Sequence, residues 1–471
     1  MSKTVKHIEI TQDILIRISA IADEYNVEAY VVGGFVRDAL LGKDCKDIDI
    51  VVVGDGVVFA KQVAEKFGWK NVVIYEKFGT AMLPLEDGKI EFVGAREESY
   101  EPSSRKPTVK KASLESDLSR RDFTVNTLAA SINKKHFGEV KDPFNGYADL
   151  QNKVLRTPLE PEKTFDDDPL RMMRAVRFAS QLQFEIKPEA VEAIKKMSER
   201  IGIVSKERVT DEFLKILSSP QPSIGLKLLY ETGLAKYVFP ELVDMVGVEQ
   251  RKDYHHKDVF LHTLKVIDNI CTQTEDVWLR FVALAHDIAK PRTKAFKEGI
   301  GWTFHGHEDL GARMMKSIFK RMRLPMDKLP YVEKLVRLHL RPMVLVSEEI
   351  TDSAVRRLLF ESGPEIDDLM ILCRADITSQ NPQRVARYLK NYDIVIEKMK
   401  EVEEKDKLRN WQPPVRGEEI MRVCSLEPGP IVGKLKTKIE EAILDGIIPN
   451  EHDPALEFLL KIKDQVLQEN L

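Results

Sequence analysis

The spacing of apolar residues changes near Thr164, and this change limits the chain to an architecture with two kinds of part. Before it, short β-rich runs (AYVVGG, DIDIVVV, NVVIYE, KIEFVGA) alternate with helix-like stretches such as Val57 to Phe67. That pattern predicts a head in which strands and helices share one core. After it, apolar residues recur at three and four, as in LRMMRAVRFASQL and RVTDEFLKILSS, which predicts helices. The expected fold class is α+β, with a mixed head followed by all-helical regions. Candidate boundaries fall near 155, 245 and 390, giving segments 1–155, 156–245, 246–390 and 391–471. A polar stretch from Arg96 to Ser119 interrupts the head and reads as a long mobile loop, one that carries Arg105, Lys106, Lys110 and Lys111.

With 471 residues the chain has room for two to four cores. No apolar run approaches the roughly 20 residues that span a bilayer, and MSKTVKHIEITQ lacks the apolar core of a signal peptide, so no membrane partner is expected. Four cysteines lie scattered without metal-knuckle or disulfide spacing, which suits a reducing cytoplasm. A net charge of −4 gives no whole-chain signal for nucleic acid, but phosphate contacts need only a local basic stripe. Nothing in the sequence specifies an oligomeric state.

The segment AYVVGGFVRDALLGKDCKDIDIVVVG carries the densest chemistry. AYVV reads as a strand, Gly33 and Gly34 as a tight turn, and FVRDALLG as a helix start. Glycines there let backbone N–H groups approach an anion, and a helix N-terminus favours negative charge. Arg37 adds a forked donor suited to phosphate. In KDIDIVVV, Asp47 and Asp49 stand two apart on a strand and share a face. Carboxylates beside a phosphate cradle can hold Mg²⁺. Alone, GG is an ordinary turn and DxD an ordinary solvated strand end; the ordered combination is far more specific.

GGFVRD with DID resembles the head motif of the class II tRNA nucleotidyltransferase and bacterial poly(A) polymerase family, within the polymerase β nucleotidyltransferase superfamily. Further pieces follow in that family's order. SRRDFTVNTLA is similar to its ribose and phosphate motif, which implies nucleotide contacts from Arg121, Asp122 and Asn126. DPFNGYADLQNKVLR, with Asp142, Gly146 and Asp149, is similar to the head–neck join. DDDPLRMMRAVRFA resembles the template-replacing motif, with Asp167 where the family has Glu. That likeness assigns Asp168 and Arg171 to the edge of incoming CTP or ATP, and adds Arg174 and Arg177 to the nucleotide contacts. Taken alone, Arg177 and Phe178 read as helix surface and core. A carboxylate suits the amino group shared by C and A, and would face O4 or O6 of the wrong bases. Arg208 and Glu212 fall in a last neck-like motif. Glu91 is either a third metal-facing carboxylate or a solvent-facing glutamate. The resemblance implies a head of polymerase β type, Mg²⁺ in it, tRNA as partner, and CTP and ATP as substrates.

Seven of ten histidines lie between His255 and His339. An adjacent His286–Asp287 pair inside the apolar run LRFVALAHDIAKP is costly to bury unless a charge satisfies it, and a metal ion is the economical candidate. His262, His305, His307, His339 and Asp376 are further possible ligands, and His/Asp sets suit several divalent metals. The order of His262, His286, Asp287 and Asp376 resembles the HD domain of metal-dependent phosphohydrolases, and His307 and His339 resemble the extra ligands of its dinuclear members. One or two divalent metals of unspecified identity are implied, with Lys290 facing a substrate phosphate; a degenerate, RNA-holding scaffold is the alternative. His255 and His256 read as structural or surface. In the tail, Lys434, Lys436 and Lys438 follow a helix start near Pro430, and form either an RNA-backbone contact or a solvated face. Three rivals to addition of CCA remain: a poly(A) polymerase, a CC-adding enzyme, or a phosphohydrolase with a nucleotide-binding front.

Overall fold

The computed structural model describes residues 7–76, 79–99, 108–249, 258–347, 351–379, 381–406 and 413–468. The chain divides into two compact units, Met1–Pro240 and Glu241–Leu471. In the first, a seven-stranded mixed sheet is ordered β3-β4-β5-β2-β1-β8-β9. Its strands are β1 (Ala29–Val32), β2 (Asp47–Val52), β3 (Val73–Tyr75), β4 (Thr80–Leu85), β5 (Gly88–Gly94), β8 (Ala129–Ser131) and β9 (Val140–Lys141); β6 (Arg96–Ser99) and β7 (Thr108–Lys111) pair separately. β1 and β2 run antiparallel, whereas β2 and β5 run parallel. That parallel step needs a crossover, and the helix Gly56–Phe67 lies on it. Asp55 caps this helix by accepting from Val57 and Val58 N at 3.1 and 3.0 Å, and Gly68 ends it in the left-handed region.

Within the stretch from Arg96 to Ser119, residues 96–99 and 108–119 hold strands and a helix rather than a loop. The stretch begins with β6, returns through β7, and closes with a helix Leu114–Ser119 whose Ser113 side chain accepts from Ser116 N. Cross-strand backbone bonding supplies what short-range composition did not show. Arg105 and Lys106 lie outside the described residues; Lys110 and Lys111 belong to β7. Strand β4 also lacks an alternating signature, because Pro84 weakens it; that proline sits near the strand end, opposite Lys89.

Beyond Asp149 the first unit is helical, apart from a parallel pair formed by Val154–Leu155 and Glu185–Ile186. Helix Leu170–Leu182 is buried on most sides, with Phe178 set edge-on to Phe123 at 5.9 Å. In the second unit, helices Val259–Cys271, Val277–Ala285, His307–Met322, Leu329–Leu338 and Ile366–Ala375 carry the histidine cluster, and one hairpin (Ala295–Lys297 with Gly301–Thr303) interrupts them. The tail helices Gly417–Cys424, Pro430–Leu444 and His452–Gln468 close around Ile420, Leu435, Ile439 and Leu459. Among the described residues no helix is long and apolar enough to cross a membrane.

Candidate functional site

A cavity of about 520 Å³ opens in the first unit, lined by eight arginines (37, 96, 120, 121, 171, 174, 177 and 208) against four aspartates (49, 117, 122 and 168). Such an excess of fixed cations favours a polyanion of triphosphate type. Gly33 and Gly34 form part of its wall. Gly33 has φ +68°, and a Cβ there would lie 3.0 Å from Arg121 Nη1. A side chain would therefore be strained in backbone and crowded against a guanidinium.

Asp47 and Asp49 leave the same face of β2, Asp47 exposed and Asp49 half-buried. The parallel register sets Glu91 of β5 directly beside Asp49, and Lys89 beside Asp47. Glu91 thus joins the carboxylate face, with Lys89 Nζ 3.7 Å from its Oε2. Burial raises the Asp49 carboxyl above its ordinary value; Arg121 and Lys89 oppose the shift and Asp47 adds to it. Three clustered carboxylates, one of them desolvated, are a donor set of the hard-oxygen kind that divalent cations such as Mg²⁺ take.

Several predicted nucleotide contacts are held by protein groups at the cavity wall. Arg37 is buried; its Nε and Nη2 donate to Asp38 at 2.8 and 2.9 Å, and Nη1 donates to Asn126 Oδ1 at 2.8 Å. Its fork is therefore engaged by Asp38. Asp122 accepts from Asn126 Nδ2 at 2.9 Å and from Arg174 Nε at 2.7 Å. Arg171 Nη1 and Nη2 donate to the carbonyls of Thr164 and Arg120 at 3.1 and 2.6 Å. Asp168 Oδ1 accepts from Leu170 N at 3.1 Å, and its Oδ2 lies 3.4 Å from Arg208 Nη2. Arg177 is buried rather than at the helix surface; its Nε lies 3.2 Å from Glu212 Oε2, and its guanidinium covers the Phe178 ring at 4.3 Å. The guanidinium carbons of Arg37 and Arg174 also face that ring, at 5.2 and 5.3 Å. Glu212 does not stand out in the sequence as part of the arginine wall, because its contact with Arg177 is made between helices Leu170–Leu182 and Lys206–Leu217.

The join residues anchor this wall. Asp142 accepts from Gly146 and Tyr147 N at 2.6 and 3.0 Å, starting helix Gly146–Gln151. Asp149 accepts from Thr124 Oγ1 at 2.6 Å, tying down the segment that carries Asp122 and Asn126. A Cβ on Gly146 would come within 2.0 Å of the Thr124 carbonyl oxygen, so this close approach requires glycine.

Asp122 makes the wall sensitive to pH. Burial opposes its charge, but Arg174 and the bond from Asn126 outweigh it and bring its pKa down to about 2. The unfolded value is about 3.9, so its contribution is complete above about pH 4 and is lost as pH falls toward the folded value. A shift of this size corresponds to about 2 kcal/mol. Urea midpoints of wild type and Asp122→Asn should differ at neutral pH, and the gap should close between about pH 4 and 2; a constant gap would contradict the linkage.

In the second unit two groups come together: His262, His286 and Asp376, and Asp287, His307 and His339. Asp287 stands between them. Its Oδ2 lies 3.5 Å from His262 Nε2 and 3.3 Å from His286 Nε2; its Oδ1 lies 3.2 Å from His307 Nε2 and 3.7 Å from His339 Nε2. Asp376 Oδ1 is 2.8 Å from His262 Nε2. Helix ends hold the set: His286, His339 and Asp376 cap the C-termini of their helices, and His307 begins its own. Nδ1 of His286, His307 and His339 donates to the carbonyls of Ala283, Phe304 and Val336 at 2.7 to 2.8 Å. Those bonds satisfy backbone oxygens and turn every Nε2 toward the carboxylates.

Burial works against charge here. Asp287 and Asp376 nevertheless lift His286 to about 10, whereas burial and the neighbouring His286 press His339 down to about 3. Both acids are held well below the carboxylate range despite burial, by the histidines and, for Asp287, by Lys290 at 2.6 Å. His286 Nε2 is buried without a hydrogen bond of acceptable geometry. An orphaned imidazole nitrogen among carboxylates fits a divalent cation. His305 is exposed and stands outside both groups; His255 and His256 lie outside the described residues.

The head sheet with its carboxylate face and arginine cavity in the first unit, and the paired His/Asp groups in the second, define a nucleotidyltransferase that carries an HD domain. Three family models match the chain: poly A polymerase head domain over residues 29–156, probable RNA and SrmB-binding site of polymerase A over 183–245, and HD domain over 259–380. The chain is 30% identical over 425 residues to the A-adding tRNA nucleotidyltransferase of Deinococcus radiodurans, covering 88% of this chain and 91% of that one. It is 33% identical over 369 residues to the multifunctional CCA protein of Xanthomonas campestris pv. campestris, covering 74% and 85%. With the A-adding tRNA nucleotidyltransferase of Geobacter sulfurreducens it shares 39% identity over 230 residues, spanning 48% of this chain and 26% of that longer one. The fold is that of the Bacillus stearothermophilus CCA-adding enzyme solved in complex with CTP, with TM-score 0.66 at 24% identity over 98% of this chain and 100% of that one. The chain therefore belongs to the tRNA nucleotidyltransferase and poly(A) polymerase family, and is an enzyme of that type.

Proposed function

We propose that this enzyme adds CCA to tRNA 3′ ends from CTP and ATP without a nucleic-acid template. The observation that carries this reading is the single arginine-walled cavity that borders both the Asp49 face and the Asp168–Arg171 turn. Gly33, Gly34 and Arg121 border the triphosphate, while Arg37, Asn126, Asp122 and Arg174 form the bonded frame behind it. The tRNA 3′-oxygen attacks the α-phosphorus, a P–O bond forms, and the bond to pyrophosphate breaks. Asp47 and Asp49, with Glu91 beside them, would hold Mg²⁺, which when bound neutralises triphosphate charge and acidifies the attacking hydroxyl. Arg177, paired with Glu212, stiffens the wall. The protein is proposed to work in the cytoplasm, with parts at 1–155, 156–245, 246–390 and 391–471.

Asp168 and Arg171 are assigned to base choice. Arg171 keeps part of its donor set for a base after its two carbonyl bonds, and those bonds fix its plane. Arg171→Ala should narrow the preference for CTP and ATP over UTP and GTP by on the order of ten-fold or more, as expected for the loss of one paired base contact. Single-nucleotide incorporation with each NTP measures it, and an unaltered preference removes the assignment.

In the HD domain, His262, His286, Asp287, Asp376, His307 and His339 would hold one or two divalent metals for phosphoester hydrolysis; such metals polarise the phosphoryl group and activate water. Two of the relatives are named A-adding tRNA nucleotidyltransferases, which favours A addition as a second reading. Labelled NTPs on transcripts ending before CCA, after C and after CC separate the cases. Ordered C, C and A followed by arrest supports the first reading; A only on CC ends supports the second. Long A tails indicate a poly(A) polymerase, C without A a CC-adding enzyme, and no incorporation a hydrolase with a nucleotide-binding front.

A further inference from the structure

The hairpin between the HD pair and His307 presents an exposed aromatic face that the HD ligands do not use. Phe296 and Trp302 are cross-strand partners, with ring centroids 5.2 Å apart at 76°. Phe296 is 55% exposed, and Ile300 at the tip is 74% exposed. Phe296 and Ile300 face solvent beside the half-buried Trp302, and a contiguous exposed apolar patch of this kind marks a binding surface. Cations accompany them. Lys294 Nζ sits 4.2 Å from the Trp302 centroid, and Arg292 and Lys297 are exposed nearby in sequence, against the single acid Glu298.

The same run leads into the metal-type cluster. Two residues after Trp302, Phe304 gives its carbonyl to His307 Nδ1 at 2.7 Å, and its ring receives Lys290 Nζ at 5.6 Å. Lys290 in turn lies 2.6 Å from Asp287 Oδ2. Cation and ring thus alternate in two pairs, Lys290 with Phe304 and Lys294 with Trp302, and Phe296 packs on the second ring. Alternation of this kind suits a ligand with both a flat π-face and a phosphate.

Resting on the HD reading above, we infer that this hairpin is the base platform of the phosphohydrolase site. Its ligand is a nucleoside phosphoester, free or at the end of an RNA chain, whose base stacks on Phe296 while the phosphate reaches the cluster. Lys294 covers one face of Trp302, so Phe296 supplies the open ring and Trp302 holds it edge-on. A small phosphate without a base would miss this contact.

The test uses the full chain labelled with 5-fluorotryptophan, whose four tryptophans give separate ¹⁹F signals; Trp302→Phe identifies the relevant one. Mn²⁺ uptake is measured first, then adenosine 2′-phosphate, an RNA oligonucleotide ending in a 2′-phosphate, and inorganic phosphate are titrated. The Trp302 signal should move with one or both base-bearing ligands and stay with inorganic phosphate, and whichever ligand acts at lower concentration identifies the source. Phe296→Ala should weaken that binding on the order of ten-fold, the effect of losing one base–ring stack; its exposure keeps folding out of the result, and Phe296→Tyr should restore affinity. A chain that takes up Mn²⁺ and hydrolyses adenosine 2′-phosphate with a motionless Trp302 signal overturns this inference alone. A chain that takes up no cation and hydrolyses none of these esters overturns the HD reading and this inference together.

Discussion

Asp49→Ala should reduce nucleotide incorporation by about a thousand-fold or more while the HD site continues to hydrolyse. Asp49 is the half-buried member of the carboxylate face, in register with Glu91 and on the wall of the arginine cavity. In the proposed mechanism, removing it leaves a gap where the developing charge of triphosphate cleavage needs a counter-ion bridge. Metal-assisted charge stabilisation is worth several kcal/mol, and each 1.36 kcal/mol is about ten-fold in rate. Burial already raises this carboxyl above its ordinary value, so Asp49→Asn, which keeps the shape and removes the charge, should lose nearly as much. Single-turnover incorporation of CTP onto a trimmed tRNA transcript reads the effect. Activity within ten-fold of wild type would remove Asp49 from the reaction. Glu91→Ala should fall between the two, because its side chain is a third exposed and shared with Lys89.

Asp287→Ala should abolish hydrolysis in the second unit and cost more stability than any other single change in that cluster. One oxygen of Asp287 faces His262, His286 and Lys290, and the other faces His307 and His339. The other carboxylate, Asp376, pairs with His262 and His286, at 2.8 and 3.5 Å. Loss of Asp287 removes the carboxylate that Lys290, His286 and His307 share, and removing one partner of such a buried pair typically costs about 3–5 kcal/mol. Asp287→Asn separates the two effects: it preserves volume and should recover part of the stability without recovering hydrolysis. Thermal melts, cation uptake and phosphoester turnover should be read together, with CTP incorporation as the control for the head. Uptake of cation at wild-type stoichiometry by Asp287→Ala would refute the bridging role.

Legibility differed between the two sites. Within one element the sequence was sufficient: Asp47 and Asp49 share a face because strand side chains alternate, and His286 and Asp287 adjoin in the chain. Helix Pro430–Leu444 begins where its proline indicated. Strand β4 and the β6–β7 pairing were illegible because backbone partners, not local composition, form them.

The amino-acid sequence by itself determined the mixed head, the helical remainder, and the chemistry available to each: paired carboxylates in one, imidazoles and carboxylates in the other. Periodicity and residue type are local properties, and they suffice for that much. Only the tertiary structure decided which groups meet. The register of β2 against β5 brings Glu91 to Asp49 from 42 positions away, a separation that no repeat encodes. Packing of helix Leu170–Leu182 turns Arg177 inward to Glu212, and the fold brings Arg37 to Asn126 from 89 positions away in the cavity wall. Asp287 becomes the bridge between two groups because helix ends from distant segments converge on its two oxygens. Such distances between elements are set by how side-chain volumes fill a shared core, which is a property of the folded whole.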